Sequence, residues 1–256
     1  MNTLHSFTFV IHILFGSMAL LLFWVPVMSK KGSLDHQEFG RYYAKVMHVV
    51  AASGAVMALL VVYAPLTIKH QFIGNTTDTQ ALALKLRIFW SFLLYLSVLT
   101  FANIRHGILV VKNKAQHSRM RNPLHLLTIM LLFTGGLSIF TLGAIYGNFL
   151  HIVFGLFGTI LAVQMARFCL ARNVQKNAWL VAHIGSFIGS GIGAYTAFIA
   201  FGGRHLLADL GNVQMLFWIA PGLVGGIVIS SMSRKYQHGL AAARMAKKEG
   251  KPNQAI

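Results

Sequence analysis

The chain has 256 residues, of which 56% are hydrophobic, and it carries 22 Lys and Arg against only five Asp and Glu. The formal net charge is +17, and the basic residues lie between apolar runs rather than on one soluble face. This distribution argues against a nucleic-acid partner and for contact with anionic lipid headgroups. A single cysteine, Cys169, excludes an internal disulfide and a cysteine-bound iron–sulfur cluster, and we interpret it as a small apolar residue in a helix.

Apolar runs of about 20 residues are long enough to cross the roughly 30 Å hydrocarbon core as helices, so the sequence predicts an all-α polytopic membrane protein. We place seven transmembrane helices at about 5–28, 42–65, 84–108, 124–146, 148–171, 178–201 and 212–232. Basic residues concentrate in alternate connections and in the tail, which predicts an N-terminus outside and a C-terminus in the cytoplasm. The predicted domains are a transmembrane domain over 1–232 and a basic cytoplasmic tail over 233–256.

Two sequence echoes predict an internal repeat. The pentapeptide His12–Gly16 (HILFG) returns as His151–Gly155 (HIVFG), and His48–Ala55 aligns with His183–Ser190 at nearly the same offset. Four spans separate the copies, so both have the same orientation, as in parallel repeats related by an axis along the membrane normal. The predicted repeat halves are about 5–65 and 148–201.

The four histidines of these echoes fall into two layers. At 1.5 Å per residue, His12 lies about 10 Å from the outer end of the first span, and His151 enters from the same side. His48 and His183 lie near the inner ends of their spans. Because a six-coordinate haem iron takes an imidazole nitrogen on each face, we predict an outer pair, His12 with His151, and an inner pair, His48 with His183. Small residues beside these histidines leave room for a macrocycle: Gly16, Gly155, Ala51, Ser186, Gly54 and Gly189.

This layout resembles that of di-haem b-type cytochromes, whose four histidine ligands lie on four helices in two layers. The resemblance implies one or two haem b groups bound through their iron. It also implies electron transfer across or within the membrane. A quinol or quinone, a ferric complex or a redox partner protein is then the second substrate.

Other candidates lie on the predicted cytoplasmic side. His125 begins the fourth span and His106 ends the third, and either is able to replace an inner haem ligand or to border a quinone site or proton path. Arg41, Lys45 and His48 share one helix face at i, i+4 and i+7. We expect this cationic strip to bind lipid phosphate, with haem propionates or an anionic electron donor as alternatives.

Scattered motifs also resemble an uncharacterised family of bacterial multi-helix membrane proteins. The matching residues are His12–Gly16 with Ala19 and Leu20, His36–Tyr43 (an HxxxGR pattern) with Met47, Trp179, His183 with Ile184, and Thr196–Phe198. The resemblance implies a location in the bacterial inner membrane. It implies no mechanism, because that family has no settled activity.

Two other classes of protein remain open. One is a non-redox transporter or channel with a midplane site at the repeat interface, where histidines handle protons or a soft metal. The other is a membrane assembly factor whose histidines only pack. All five acidic residues lie outside the predicted spans, which argues against the buried carboxylate of many proton-coupled carriers.

Overall fold

The computed structural model describes residues 1–74, 78–175, 177–202, 216, 220–231 and 234, and all its regular elements are helical. The chain divides into two compact units, Met1–Val174 and Gln175–Ile256. In chain order the helices of the first unit are α1 (Asn2–Met28), α2 (Leu34–Tyr63), the short α3 (Pro65–Ile68), α4 (Thr79–Lys112), α5 (Pro123–Tyr146) and α6 (Phe149–Leu170), with 3₁₀ turns at His70–Phe72 and His117–Arg121. The second unit contains α7 (Ala178–Ala197), a π-helical turn at Phe198–Gly202 and α8 (Ala220–Ser231).

Six of the described helices are long and apolar enough to cross a membrane: α1, α2, α4, α5, α6, and α7 with its π turn. They match the first six predicted spans, so this is a multi-pass, all-helical membrane protein. Helices α2 and α4 begin at residues 34 and 79, well before the predicted starts at 42 and 84, because polar residues cap them outside the apolar stretch. Ser33 accepts a hydrogen bond from the His36 N–H at the start of α2, and Asp78 accepts one from the Ala81 N–H at the start of α4.

The seventh predicted span, at 212–232, lies partly outside the described residues. Its described part includes the apolar helix α8, which is shorter than the six spanning helices. Apart from Arg234, the predicted tail over 233–256 lies outside the described residues. The seventh span and the orientation in the membrane stay predictions.

The helices of the first unit pack largely in chain order. Helix α1 packs against α2, α2 against α4, α4 against α5, and α5 against α6, while the 3₁₀ turn His117–Arg121 contacts α4, α5 and α6. The predicted repeat relates α1 to α6 and α2 to α7. Helix α6 belongs to the first unit and α7 to the second. The repeat therefore stays a prediction.

The turn between α1 and α2 satisfies the last carbonyl groups of α1. The Pro26 carbonyl accepts hydrogen bonds from Lys31 Nζ and from His36 Nδ1, each at 2.9 Å. Partial burial lowers the pKa of the Lys31 amine from its usual value. These contacts fix the angle at which the two helices meet.

Glycines bring α5 and α6 into backbone contact. A Cβ atom on Gly155 would lie 2.5 Å from the Phe140 amide nitrogen and 2.8 Å from the Gly136 carbonyl oxygen. One on Gly143 would lie 2.7 Å from the Ile152 amide nitrogen. No side chain fits at such separations, so these small residues are what permits the close approach of the two helices.

Tyr95 of α4 fills a notch between α5 and α6 that is lined by Gly135, Gly136 and Gly158. The side chain is 3% exposed, and its hydroxyl has no hydrogen-bond partner among the described residues. A buried polar atom without a partner costs about 1–3 kcal/mol.

We therefore expect Tyr95→Phe to preserve or raise the stability, because it removes this hydroxyl and keeps the ring in the notch. Thermal unfolding of the purified protein in detergent measures the effect. Tyr95→Ala, which empties the notch, is expected to lower the midpoint sharply. A loss of stability in Tyr95→Phe would contradict the prediction and reveal a partner for the hydroxyl.

Candidate functional site

His12 lies where α1 packs against α2. Its Nδ1 atom is 3.1 Å from the Val50 carbonyl oxygen and 3.0 Å from Ser53 Oγ. A carbonyl oxygen only accepts hydrogen bonds, so Nδ1 carries the proton and Nε2 keeps its lone pair. This is the tautomer that a histidine adopts when it binds a metal through Nε2 while a backbone carbonyl orients its ring.

His48 has the same tautomer for the same reason. Its Nδ1 atom is 2.6 Å from the carbonyl oxygen of Ala44, one turn earlier in α2. The half-buried ring packs edge-on against Phe101 of α4, with 5.4 Å between ring centroids. Its Nε2 lone pair is therefore also available to a metal.

His151 presents the other ring nitrogen. Its Nε2 atom donates to the Ile88 carbonyl oxygen at 3.3 Å, and its ring stacks on Phe92 of α4 with 4.7 Å between centroids. The lone pair is consequently on Nδ1. His151 has to rotate its ring before it can offer Nε2 to an iron.

The two histidines of the predicted outer pair lie in different surroundings. Ser97 of α4 approaches His12 at Gly54, whereas His151 stacks on Phe92 of the same helix. Positions 92 and 97 lie about 140° apart around α4, and α1 and α6 make no close backbone approach to each other. His12 thus contacts α2 and His151 contacts α4, and their pairing stays a prediction.

The predicted inner pair is divided between the two units. His183 lies on α7, where its ring is tilted against Phe187 with 4.7 Å between centroids. His48 belongs to the first unit. Their pairing also stays a prediction.

The cationic strip runs from exposed to half-buried positions along α2. Arg41 and Lys45 are exposed, and Lys45 Nζ lies 5.8 Å from the centroid of the Tyr42 ring. Such an arrangement is a weak cation–π contact. What the strip binds stays a prediction.

His106 and His125 form the most buried polar contact among the predicted site residues. They are 3% and 0% exposed, and His106 Nδ1 lies 3.0 Å from His125 Nε2. One of these nitrogens donates and the other accepts. Asn122 fixes His125 in the first turn of α5, because its side chain accepts a hydrogen bond from the His125 N–H.

These two rings are too close to bind opposite faces of one haem. Two axial nitrogens at metal–nitrogen distances of about 2.0 Å lie about 4 Å apart, with the porphyrin between them. His106 and His125 are in direct contact at 3.0 Å. Either one can still serve as a single ligand, as the sequence predicts.

Cys169 of α6 joins this pair. It is fully buried, and the potential ligand atoms of His106, His125 and Cys169 all lie within 4.8 Å of one another. The neighbouring Phe168 ring packs edge-on against His106 and also against His117 of the 3₁₀ turn. Three helices therefore bring two imidazoles and one thiol into one buried cluster.

Sequence reasoning found the two histidines of this cluster and missed the thiol. The available signal was position along the membrane. His106 lies near the end of α4, His125 near the start of α5 and Cys169 near the end of α6. Because successive spans alternate in direction, these three positions fall at the same end of the bundle.

No family model, no curated protein and no solved structure matches this chain. The fold and the sites define its class: a multi-pass, all-helical membrane protein whose helices carry histidines bound to backbone carbonyls and a buried His–His–Cys cluster. The resemblances drawn from the sequence stay predictions.

Proposed function

We propose that this chain is a b-type cytochrome that transfers electrons across or within the bacterial inner membrane. The observation that carries the proposal is the contact of Nδ1 with a backbone carbonyl oxygen in both His12 and His48. Both donate Nδ1–H to a backbone carbonyl of α2, which leaves Nε2 as a lone-pair donor within a membrane span. Intramembrane histidines are costly to keep and are commonly functional.

The surroundings of His12 differ between its two neighbouring glycines. A Cβ atom on Gly54 would lie 2.7 Å from Ser97 Oγ and 3.3 Å from the His12 ring, so this glycine lets both side chains pack closely against α2. A Cβ on Gly16, one turn along α1 from His12, would meet nothing within 4 Å. A porphyrin edge would therefore have room beside Gly16, whereas the Gly54 side is filled by the His12 ring and Ser97.

The opposite ligands proposed are those of the sequence layout, His151 and His183. His151 reaches this role by breaking its hydrogen bond to Ile88 and rotating its ring. When bound, haem supplies the one-electron centre, while the histidines hold it and the apolar helices exclude water. One or two haems and a quinol, ferric or protein redox partner belong to the same proposal.

Purification in detergent after expression with ample haem tests the proposal. We expect Soret and α bands in the reduced-minus-oxidised spectrum and one or two haems per chain by pyridine haemochrome assay. The matched control is the double variant His12→Ala/His48→Ala, which removes the two carrying residues and leaves every other histidine in place. A colourless wild-type protein, or equal haem in the double variant, would overturn the proposal and favour a transporter or an assembly factor.

A further inference from the structure

We propose that His106, His125 and Cys169 form a binding site for monovalent copper, Cu(I). The site lies between α4, α5 and α6 and shares no residue with the four histidines proposed above as haem ligands, His12, His48, His151 and His183. It rests on the 3.0 Å contact between the two imidazoles, on the buried thiol beside them, and on the buried His125 Nδ1, which has no partner among the described residues.

The ligand set selects a soft transition metal. One thiolate and two imidazole nitrogens suit copper or zinc, whereas magnesium, calcium and manganese prefer carboxylate and carbonyl oxygens. Residues 79–170, which include α4, α5 and α6, contain no Asp or Glu. A hard cation therefore has no carboxylate ligand on these helices.

Charge and ligand number favour Cu(I) over Zn²⁺. With a thiolate and two neutral imidazoles, Cu(I) gives a complex of zero net charge, while Zn²⁺ leaves one positive charge in a buried site. Net charge is expensive to bury, and the guanidinium of Arg105, next to His106 in sequence, acts electrostatically on His125 and opposes a further positive charge. Structural zinc also takes four ligands, whereas copper is found in trigonal His₂Cys sites.

The observed geometry requires only a small adjustment. In a trigonal site with metal–nitrogen distances of about 2.0 Å, the two nitrogens lie about 3.5 Å apart. His106 Nδ1 and His125 Nε2 are 3.0 Å apart, so the rings have to separate by roughly half an ångström. The Cys169 sulfur lies within 4.8 Å of a ring nitrogen of each histidine and then moves towards the metal.

Binding is balanced in protons and needs no oxidant. Cu(I) replaces the thiol proton of Cys169, forming a copper–sulfur bond and releasing one H⁺. Both facing imidazole nitrogens must offer lone pairs, so the proton that they share moves to an outer ring nitrogen. When His125 Nε2 is the donor, the proton moves to His125 Nδ1, which is buried without a partner among the described residues; when His106 Nδ1 is the donor, it moves to His106 Nε2.

Copper binding by the full-length protein in detergent tests the site. Under anaerobic conditions, Cu(I) is titrated in competition with the chelator bathocuproine disulfonate, and copper per chain is counted by elemental analysis. We expect one Cu(I) per chain. Cys169→Ser and His125→Ala should each lower the affinity for Cu(I) by at least about tenfold. Even the loss of a residue that only orients a metal ligand lowers metal affinity by about that much.

His117→Ala is the matched control, because His117 packs on the same Phe168 ring but lies outside the cluster. It should keep the copper. X-ray absorption of the copper-loaded protein should show a copper–sulfur scattering path that disappears in Cys169→Ser, and size-exclusion profiles check that each variant folds. The double variant His12→Ala/His48→Ala should bind copper normally, which separates this inference from the haem proposal.

Three outcomes would overturn the inference. They are a wild-type protein that retains no Cu(I) against the chelator, one that retains Zn²⁺ but not Cu(I), and a well-folded Cys169→Ser variant that binds Cu(I) as tightly as the wild type.

Discussion

Replacing Gly155 by alanine is expected to destabilise the protein by about 3 kcal/mol, the upper end of the range for overpacked sites. The added methyl group would lie 2.5 Å from the Phe140 amide nitrogen and 2.9 Å from the Phe140 Cα. These are backbone atoms, which cannot rotate out of the way as a flexible side chain can. Helices α5 and α6 would have to separate, and the backbone contact along their interface would be lost.

Gly16→Ala is the matched control, because Gly16 holds the same place in the pentapeptide HILFG that Gly155 holds in HIVFG. Nothing lies within 4 Å of a Cβ atom at Gly16. Alanine is about 1 kcal/mol better than glycine inside a helix, so this variant should be as stable as the wild type or more stable. Thermal unfolding in detergent compares the two variants, and equal effects would contradict the packing described for α5 and α6.

His12→Ala and His48→Ala are each expected to remove one haem from the purified protein. If two haems are bound, the pyridine haemochrome count falls by half in each single variant and to zero in the double variant. The reason is that each alanine removes the Nε2 atom proposed to bind iron. In the wild type, the hydrogen bond from Nδ1 to the Val50 or Ala44 carbonyl orients the ring that carries it. His70→Ala serves as control, because His70 is exposed in a 3₁₀ turn outside the spans.

A second substitution separates ligation from packing. His48→Met keeps a side chain that can bind iron, and a methionine ligand raises the reduction potential of a haem. We expect His48→Met to retain haem with a shifted potential and a changed α band. A variant at His12 or His48 that keeps both its haem content and its potential would contradict the assignment of that residue.

Much of the fold could be predicted from the sequence, because a membrane span can be identified by its length and hydropathy. The first six spans were placed correctly for this reason. The starts of α2 and α4 were placed too late, since their caps Ser33 and Asp78 lie in polar sequence that a hydropathy criterion leaves out. Hydropathy identifies the part of a helix that lies in the hydrocarbon core, and a helix can continue beyond that part.

The sites were harder to predict, because depth in the membrane does not fix the rotation of a helix. His12 and His151 begin nearly identical pentapeptides, yet one finds its carbonyl partner with Nδ1 and the other with Nε2. Their neighbours on other helices make the difference. Cys169 was missed for a related reason, since its nearness to His106 and His125 arises from contacts among three helices and leaves no local pattern.

The turn between α5 and α6 has a consequence for the order of assembly. Only Gly147 and Asn148 join the two helices, and Gly147 has a φ of +67°, a left-handed conformation that glycine adopts at little cost. So short a loop loses little entropy on closing, and contacts between helices that are adjacent in sequence form quickly. The α5–α6 hairpin can therefore assemble early, with His125 and Cys169 already in place, and the cluster is complete only when α4 docks His106 against it.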